Sequence, residues 1–144
     1  MEVFIMKRKE KIKTKPKKMT TLSPFEQLQQ VETFFRNEIN TRDYALFLSL
    51  IYSENVMEEI LHMKVSQRNT LLTESKKTKQ MISRLIKAKG LKENDFLFQS
   101  TYSKSQNKPI SRVHIYKTMK EVFAHLKMAP YTVTELRDII KQGE

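Results

Sequence analysis

The chain has 144 residues, which is enough for one domain with a modest hydrophobic core. It contains only 2 glycines and 4 prolines, and this favours long helices over an all-β fold. It contains no cysteine, which excludes disulfides and thiolate metal sites. No apolar run is long enough to span a membrane, and charge follows the apolar residues 3–6, the reverse of the order in a signal peptide. We therefore expect a cytoplasmic protein that does not enter a membrane.

The formal net charge is +11, and it is concentrated near the N-terminus. Residues 1–18 carry eight cations against two glutamates, a net charge of +6. The eight cations are Lys7, Arg8, Lys9, Lys11, Lys13, Lys15, Lys17 and Lys18. Residues 1–20 lack a periodic apolar face, so we expect a disordered basic arm that binds nucleic acid through its phosphates. Two other interpretations are a solvated tail that aids solubility and a weak attachment to anionic lipid.

Three helices are predicted in the first part of the chain that follows the arm. Ser23 and Glu26 form a capping box with Pro24 at the first helical position, and this helix runs to about residue 38. Thr41 begins the next helix, and a short helix follows over residues 56–62. The inward residues of the second helix are Tyr44, Leu46, Phe47, Leu50 and Ile51. These patterns predict a core built mainly from helices.

The pattern between residues 65 and 109 is weaker. Residues 65–80 predict a hairpin, with strand character at residues 70–73 and a polar turn at residues 74–79. A helix that contains Met81 and Leu85 ends at Gly90, because glycine is the usual residue after a helix. The apolar residues 96–98 predict a short strand, and residues 99–109 predict a polar loop.

Two more helices complete the predicted fold. Ser111 caps the first of them, and Thr132 with Glu135 forms a second capping box that opens the last helix. The apolar stripe predicted for the Ser111 helix consists of Val113, Tyr116, Met119, Val122, Phe123 and Leu126. The fold class that follows is mainly α with a small β element, an α+β fold.

Three segments of the chain, in order, carry a family resemblance. They read TLSPFEQLQQVETFF, RDYALFLSLIYSENVMEEILHMKV and DFLFQS…NKPISRVHIYKTMKEV. Together they resemble the catalytic domain of the tyrosine recombinases (phage integrases), in which a KPISR stretch precedes a DNA-facing helix. The resemblance covers residues 21–140. It implies a flexible basic arm over residues 1–20 and a recombinase-like helical domain over residues 21–144 that is truncated at its C-terminus.

The resemblance also implies which catalytic groups are missing. The family breaks a phosphodiester with two arginines, a hairpin lysine, histidines and a tyrosine nucleophile. The first arginine corresponds to Val56, an apolar residue that cannot bind phosphate, and the histidine of the His-x-x-Arg motif corresponds to Thr134. The tyrosine has no counterpart before the chain ends at Glu144. We expect no enzymatic activity, because groups that stabilise one transition state act as a unit.

Two residues remain as remnants of this degenerate site. The hairpin lysine corresponds to Lys77, with Lys76 or Lys79 as near alternatives, and the arginine of the His-x-x-Arg motif corresponds to Arg137. Arg137 also has a structural interpretation, in which it pairs with a neighbouring carboxylate. The candidate carboxylates are Glu135, Asp138 and Glu144.

Cations surround the Ser111 helix on the side opposite its predicted apolar stripe. By the resemblance, this helix enters the major groove of DNA, where arginine can read base edges and lysine can meet phosphates. The alternative is an ordinary charged helix face. The DNA contacts predicted outside the arm are Lys76, Lys77, Lys108, Arg112, Lys117 and Lys120.

Nothing in the sequence indicates a metal or a cofactor. His62, His114 and His125 have no acidic or cysteine companions at metal-ligand spacing, and we expect them at the surface or at an interface. With only two glycines there is no glycine-rich phosphate loop. We therefore expect neither a metal site nor a bound cofactor.

The sequence predicts a catalytically inactive, recombinase-like DNA-binding protein. Such a protein would be a regulator, repressor or architectural factor of a phage or other mobile element. The alternative is a protein-interaction module or inhibitor that binds a full-length recombinase, a second copy of itself or a host factor through surface exposed by the truncation. A third interpretation is a decayed gene fragment with no function of its own.

Overall fold

A computed structural model describes residues 22–100 and 108–143. The predicted basic arm, with its eight cations, lies outside these residues. The described part is mainly helical, as predicted, and its six α-helices run α1 Pro24–Glu38, α2 Thr41–Tyr52, α3 Met57–Leu61, α4 Lys76–Lys89, α5 Arg112–His125 and α6 Val133–Gly143. A 3₁₀ helix at Val65–Thr70 lies between α3 and α4.

Side-chain caps set the beginnings of the helices where the sequence predicts them. The Glu26 backbone N–H donates to Ser23 Oγ at 3.2 Å, and the Ser23 N–H donates to Glu26 Oε1 at 2.9 Å. The same reciprocal pair joins Thr132 and Glu135, at 2.8 and 3.1 Å. Ser111 Oγ accepts from the backbone N–H three residues along, at the start of α5. Each cap satisfies backbone donors that have no partner inside the helix, so these three predicted starts are confirmed.

Helix α2 is the centre of the core. Its residues from Arg42 to Ile51 are all buried, and it packs against α1, α3, α4 and α6. Phe47 stacks on Phe35 of α1 with ring centroids 4.2 Å apart. Burial of one large apolar side chain stabilises a fold by about 1.5–3 kcal/mol. Helix α2 is therefore the element against which the others are positioned.

The predicted hairpin at residues 65–80 is wrong. The 3₁₀ helix occupies its first part, and α4 already begins at Lys76 rather than near Met81. Ser75 caps α4, and Thr78 is fully buried with its hydroxyl donating to Ser75 Oγ at 2.8 Å. A polar residue thus takes an inward position in the first turn. The apolar periodicity of α4 begins only at Met81, after the first turn of the helix, so the pattern does not predict this turn.

The small β element reduces, among the described residues, to two isolated antiparallel bridges. Phe96 pairs with Lys64, and Gln99 pairs with Pro109. The first residue of the predicted strand thus contacts one segment, and the residue after the strand contacts another. Proline has no N–H to donate, so a ladder cannot continue through Pro109. The apolar residues 96–98 help to fill the core without forming a strand, since Leu97 and Phe98 are buried.

The predicted apolar stripe of α5 is partly wrong. Val113 is 74% exposed and Tyr116 is 48% exposed. The helix buries a different face, which consists of Ile115, Thr118, Met119, Val122 and Phe123. A polar residue in this face, Thr118, donates its hydroxyl to the His114 carbonyl at 3.0 Å and is thereby tolerated inside. Val113 and Tyr116 are consequently left on the solvent side.

Candidate functional site

A groove of about 550 Å³ lies between the start of α3, one side of α5 and the segment that leads into α6. Its walls include the buried side chains of Met119 and Phe123. The cations Arg112, Lys120 and Arg137 also line it. Among the residues that the structure describes, no carboxylate lines this groove. Its surface therefore combines apolar walls with positive charge.

The groove brings together three positions that the resemblance singles out. Val56, Thr134 and Arg137 come from different elements and all line it. Val56 is the residue before α3, and its side chain is 61% exposed. An apolar side chain at this place offers no charge to the oxygens of a phosphodiester. The structure places the three positions side by side, with a cationic group at only one of them.

The guanidinium of Arg137 is already engaged by the protein itself. Its Nε donates to the Leu50 carbonyl and its Nη2 donates to the Asn55 carbonyl, both at 2.6 Å. Burial lowers the pKa of Arg137 from its ordinary value, and the charge of Glu54 opposes this. The Leu50 carbonyl is among those at the C-terminal end of α2 that lack a helical partner. Arg137 thus ties α6 to the end of α2 through backbone carbonyls.

The structure places Lys77 away from the groove. It lies in α4 rather than on a hairpin, and its Nζ is 2.7 Å from Glu32 Oε1 and 3.0 Å from Tyr52 Oη. The same nitrogen lies 4.5 Å from the centroid of the Tyr52 ring, and Tyr52 donates to Glu32 Oε2 at 3.0 Å. Glu32 is buried, so Lys77 neutralises an internal carboxylate. Its neighbour Lys76 is exposed.

The exposed side of α5 carries a cationic face with an aromatic residue inside it. We define the α5 face as Arg112, Val113, Tyr116, Lys117 and Lys120, all of which are exposed. Arg112 and Lys120 lie four residues before and after Tyr116, so all three share one side of the helix. Arg112 forms an ion pair with the exposed Glu58, and this contact raises the pKa of Arg112. Lys108 is exposed as well, in the segment before α5.

Sequence reasoning missed Tyr116 as a candidate functional residue. An aromatic residue with a cation one turn to each side is the signal that could have found it. Its assignment to an apolar stripe concealed that signal. Tyr131 also lines the groove, but its polar and apolar parts both have partners within the protein. Its hydroxyl donates to Gln27 and its ring packs edge-on against Phe123.

A second polar cluster, between α2 and α5, does not line the groove. His114 Nε2 lies 3.0 Å from Asp43 Oδ2, and Arg42 Nε donates to Asp43 Oδ1 at 3.0 Å. Burial raises the pKa of Asp43, but the hydrogen bonds and charges of Arg42 and His114 outweigh it, so the pKa lies below its ordinary value. His114 is expected at the surface or at an interface, but it is half-buried against Asp43, which lies 71 residues earlier in the chain. His62 and His125 are exposed.

The residues at 22–100 and 108–143 include no group of three or more His, Cys, Asp or Glu side chains that could hold a metal ion. Within the same residues, every helix is too short or too polar to cross a bilayer. Comparison of the chain with protein families, with curated proteins and with solved structures finds no match. A function is therefore inferred from the residues of this chain alone.

Proposed function

We propose that this chain is a DNA-binding protein that does not cut DNA and that binds through the α5 face. The observation that carries the proposal is the charge around the groove, where three cations and no carboxylate line the walls in the described part of the chain. A second groove, beside α1, is lined by Glu26 and Glu38 and by no lysine or arginine of the described residues. The groove beside α5 is thus more positive than the groove beside α1, and positive charge favours a polyanion.

The absence of cutting is supported by three positions. Val56 supplies no cation, Thr134 supplies no imidazole, and Arg137 already donates to two backbone carbonyls. A strand-breaking site needs its donors aimed at the charge that develops in the transition state. The same groove can hold a phosphate against Arg112 or Lys120 without activating it. A role as regulator, repressor or architectural factor of a mobile element follows from the recombinase resemblance.

Helix α5 has a geometry suited to the major groove. Its exposed cations Arg112, Lys117 and Lys120 extend over about the first two and a half turns, and an α-helix fits the major groove of B-DNA. The exposed guanidinium of Arg112 can exchange its ion pair with Glu58 for a guanine edge, and the lysines can meet phosphates on either side. The cations of the arm, residues 1–20, add attraction that does not depend on sequence.

The test is fluorescence anisotropy of a labelled duplex over a series of salt concentrations. The variant combines Arg112→Gln, Lys117→Gln and Lys120→Gln. If all three side chains meet phosphates, we expect weaker binding and a salt slope smaller by about 2–3, since each contact contributes about 0.9. A chain that lacks residues 1–20 separates the arm from the α5 face.

The matched control combines Lys87→Gln, Lys89→Gln and Lys92→Gln, which removes the same charge from exposed positions at and after the end of α4. It should keep the slope of the unchanged chain. Equal losses in both triple variants would reduce the binding to general charge attraction and contradict the α5 face as the contact surface.

A second candidate function is protein interaction, favoured by the apolar part of the same region. Val56 is 61% exposed, Val113 is 74% exposed and Tyr116 is 48% exposed. Exposed apolar side chains next to a groove are typical of a protein interface. In the experiment above, an absence of DNA binding together with a dimer mass in light scattering would favour this candidate over the first.

A further inference from the structure

We propose that the groove between α3, α5 and α6 receives an unpaired nucleotide, whose base stacks on Tyr116 and whose phosphate meets Arg112 or Lys120. The inference rests on the proposed function and deepens it by naming the substrate class. The substrate is DNA with a single-stranded or extrahelical base rather than a fully paired duplex.

Tyr116 lies where a base could stack on it beside two cations. Its ring is 48% exposed, and it lines the groove together with Arg112 and Lys120. The four-residue spacing puts the Cα atom of each cationic residue about 6 Å from that of Tyr116 along the helix axis. Single-strand binding sites combine these two features, a cationic track for the backbone and an aromatic ring on which a base stacks.

The groove also has the size and the mixed apolar and polar lining that suit a nucleotide. A volume of about 550 Å³ lies within the range of roughly 300–1,000 Å³ that is usual for small-molecule sites. Met119 and Phe123 give it apolar walls, and the exposed Thr134 offers a hydroxyl that can bond a base edge. A nucleotide presents a flat apolar face and an anion at the same time. The backbone of a paired duplex would meet the cations and leave the apolar walls unused.

An acidic peptide with apolar side chains has some of the same chemistry. The nucleotide fits better because the aromatic ring lies between two cations on one helix side, as base stacking with adjacent phosphate contacts requires. Tyr131, the other tyrosine of the groove, already donates to Gln27, so its hydroxyl is part of the wall. Tyr116 is therefore the residue whose substitution distinguishes a nucleotide from an acidic peptide as the ligand.

The experiment compares two labelled duplexes of one sequence, of which one contains a single extrahelical 2-aminopurine and the other is fully paired. The full chain should bind the first about 5- to 150-fold more tightly, from the usual contribution of one stacked base. Binding should also change the fluorescence of the 2-aminopurine, which reports its stacking. Tyr116→Phe should keep the preference, and Tyr116→Ser should abolish it by weakening the binding of the duplex that contains the extrahelical base.

The matched control is Leu72→Ser, which removes an exposed apolar side chain between the 3₁₀ helix and α4 that does not line the groove. It should leave the preference unchanged. Thermal melts of all variants check that the exposed substitutions preserve folding.

Equal affinity of the full chain for both duplexes, or a preference that survives Tyr116→Ser, overturns this inference. The proposed function then still stands if the triple variant of the α5 face weakens binding to the paired duplex. No binding of either duplex overturns both, and an acidic apolar peptide that binds in their place would identify the groove as a protein site.

Discussion

At the scale of single residues, two helix ends share one backbone conformation but not one residue type. Gly90 after α4 has a φ of +62°, and Lys127 after α5 has a φ of +58°. In both turns a later N–H returns to the helix, from Leu91 to Ile86 at 3.0 Å and from Met128 to Phe123 at 2.9 Å. Glycine adopts this left-handed conformation freely, whereas a residue with a Cβ atom loses roughly 1–2 kcal/mol there.

Reciprocal substitutions at these two ends should therefore change stability in opposite directions. Lys127→Gly should raise the free energy of unfolding by about 1 kcal/mol, because it relieves the left-handed strain. Gly90→Ala should lower the free energy of unfolding by about the same amount. A Cβ atom at Gly90 would meet no atom within 4 Å, so the cost is only the strain of the left-handed backbone. Urea unfolding measures both values. A loss of stability in Lys127→Gly would contradict the argument.

The sequence predicted the location of some residues of the candidate site but not of others. Val56 and Arg137 were expected near one catalytic centre, and both line the groove. The partners of Arg137 were not predicted, because Leu50 lies 87 residues earlier and only the packing of α6 against α2 brings its carbonyl within reach. Tyr116 was assigned to the core because its apolar ring suited the helical period. Burial depends on which side of α5 meets its neighbours, and the period alone does not decide this.

At the scale of elements, the sequence predicts the helix ends that are determined by contacts between residues close in sequence. The capping boxes at Ser23 and Thr132 fix α1 and α6 within a few residues of sequence. Helix α4 was recognised only from Met81 onward, because its first turn is stabilised by contacts with distant segments. The lysine expected on a hairpin is one of them, since Lys77 contacts Glu32 of α1 and Tyr52 of α2.

This network predicts a difference between two adjacent lysines of α4. Lys77→Ala should lower the free energy of unfolding by about 1–3 kcal/mol, because it leaves the buried Glu32 without its cation. Lys76→Ala removes the same charge at an exposed position and should change it by less than about 0.5 kcal/mol. Chemical denaturation of both variants makes the comparison. Equal values would show that the Lys77 ion pair contributes nothing to stability.

At the scale of the whole molecule, one polar cluster joins parts of the chain that are distant in sequence. Arg42 and Asp43 begin α2, His114 lies in the first turn of α5, and Arg42 Nη1 also donates to the Gln99 carbonyl at 3.0 Å. The Asp43 side chain is almost fully buried and accepts from both Arg42 and His114. A buried carboxylate with two such partners stabilises the fold only while it is ionised.

Acid should therefore remove a defined part of the stability. The folded-state pKa of Asp43 lies below the value of 3.8 that is ordinary for this group. A lowered pKa means that the contribution is complete above pH 3.8 and is lost as the pH falls through the folded-state pKa. Asp43→Asn lacks the charge at every pH. We expect this variant to be less stable than the unchanged chain by about 2 kcal/mol at pH 7, since hydrogen bonds to charged groups contribute about 1.5–3 kcal/mol.

The difference between the two proteins should shrink as the pH falls below 3.8 towards the folded-state pKa of Asp43, because the unfolded chain then binds a proton at Asp43 that the folded chain does not. Asp138→Asn, an identical change at an exposed position of α6, should remain close to the unchanged chain over the whole range. Urea unfolding at each pH gives the three curves. A difference for Asp43→Asn that stays constant down to pH 2 would show that the size and shape of the side chain, rather than its charge, join α2 to α5. In that case Arg42 and His114 would not depend on an ionised Asp43, and acid would unfold the protein through its other carboxylates.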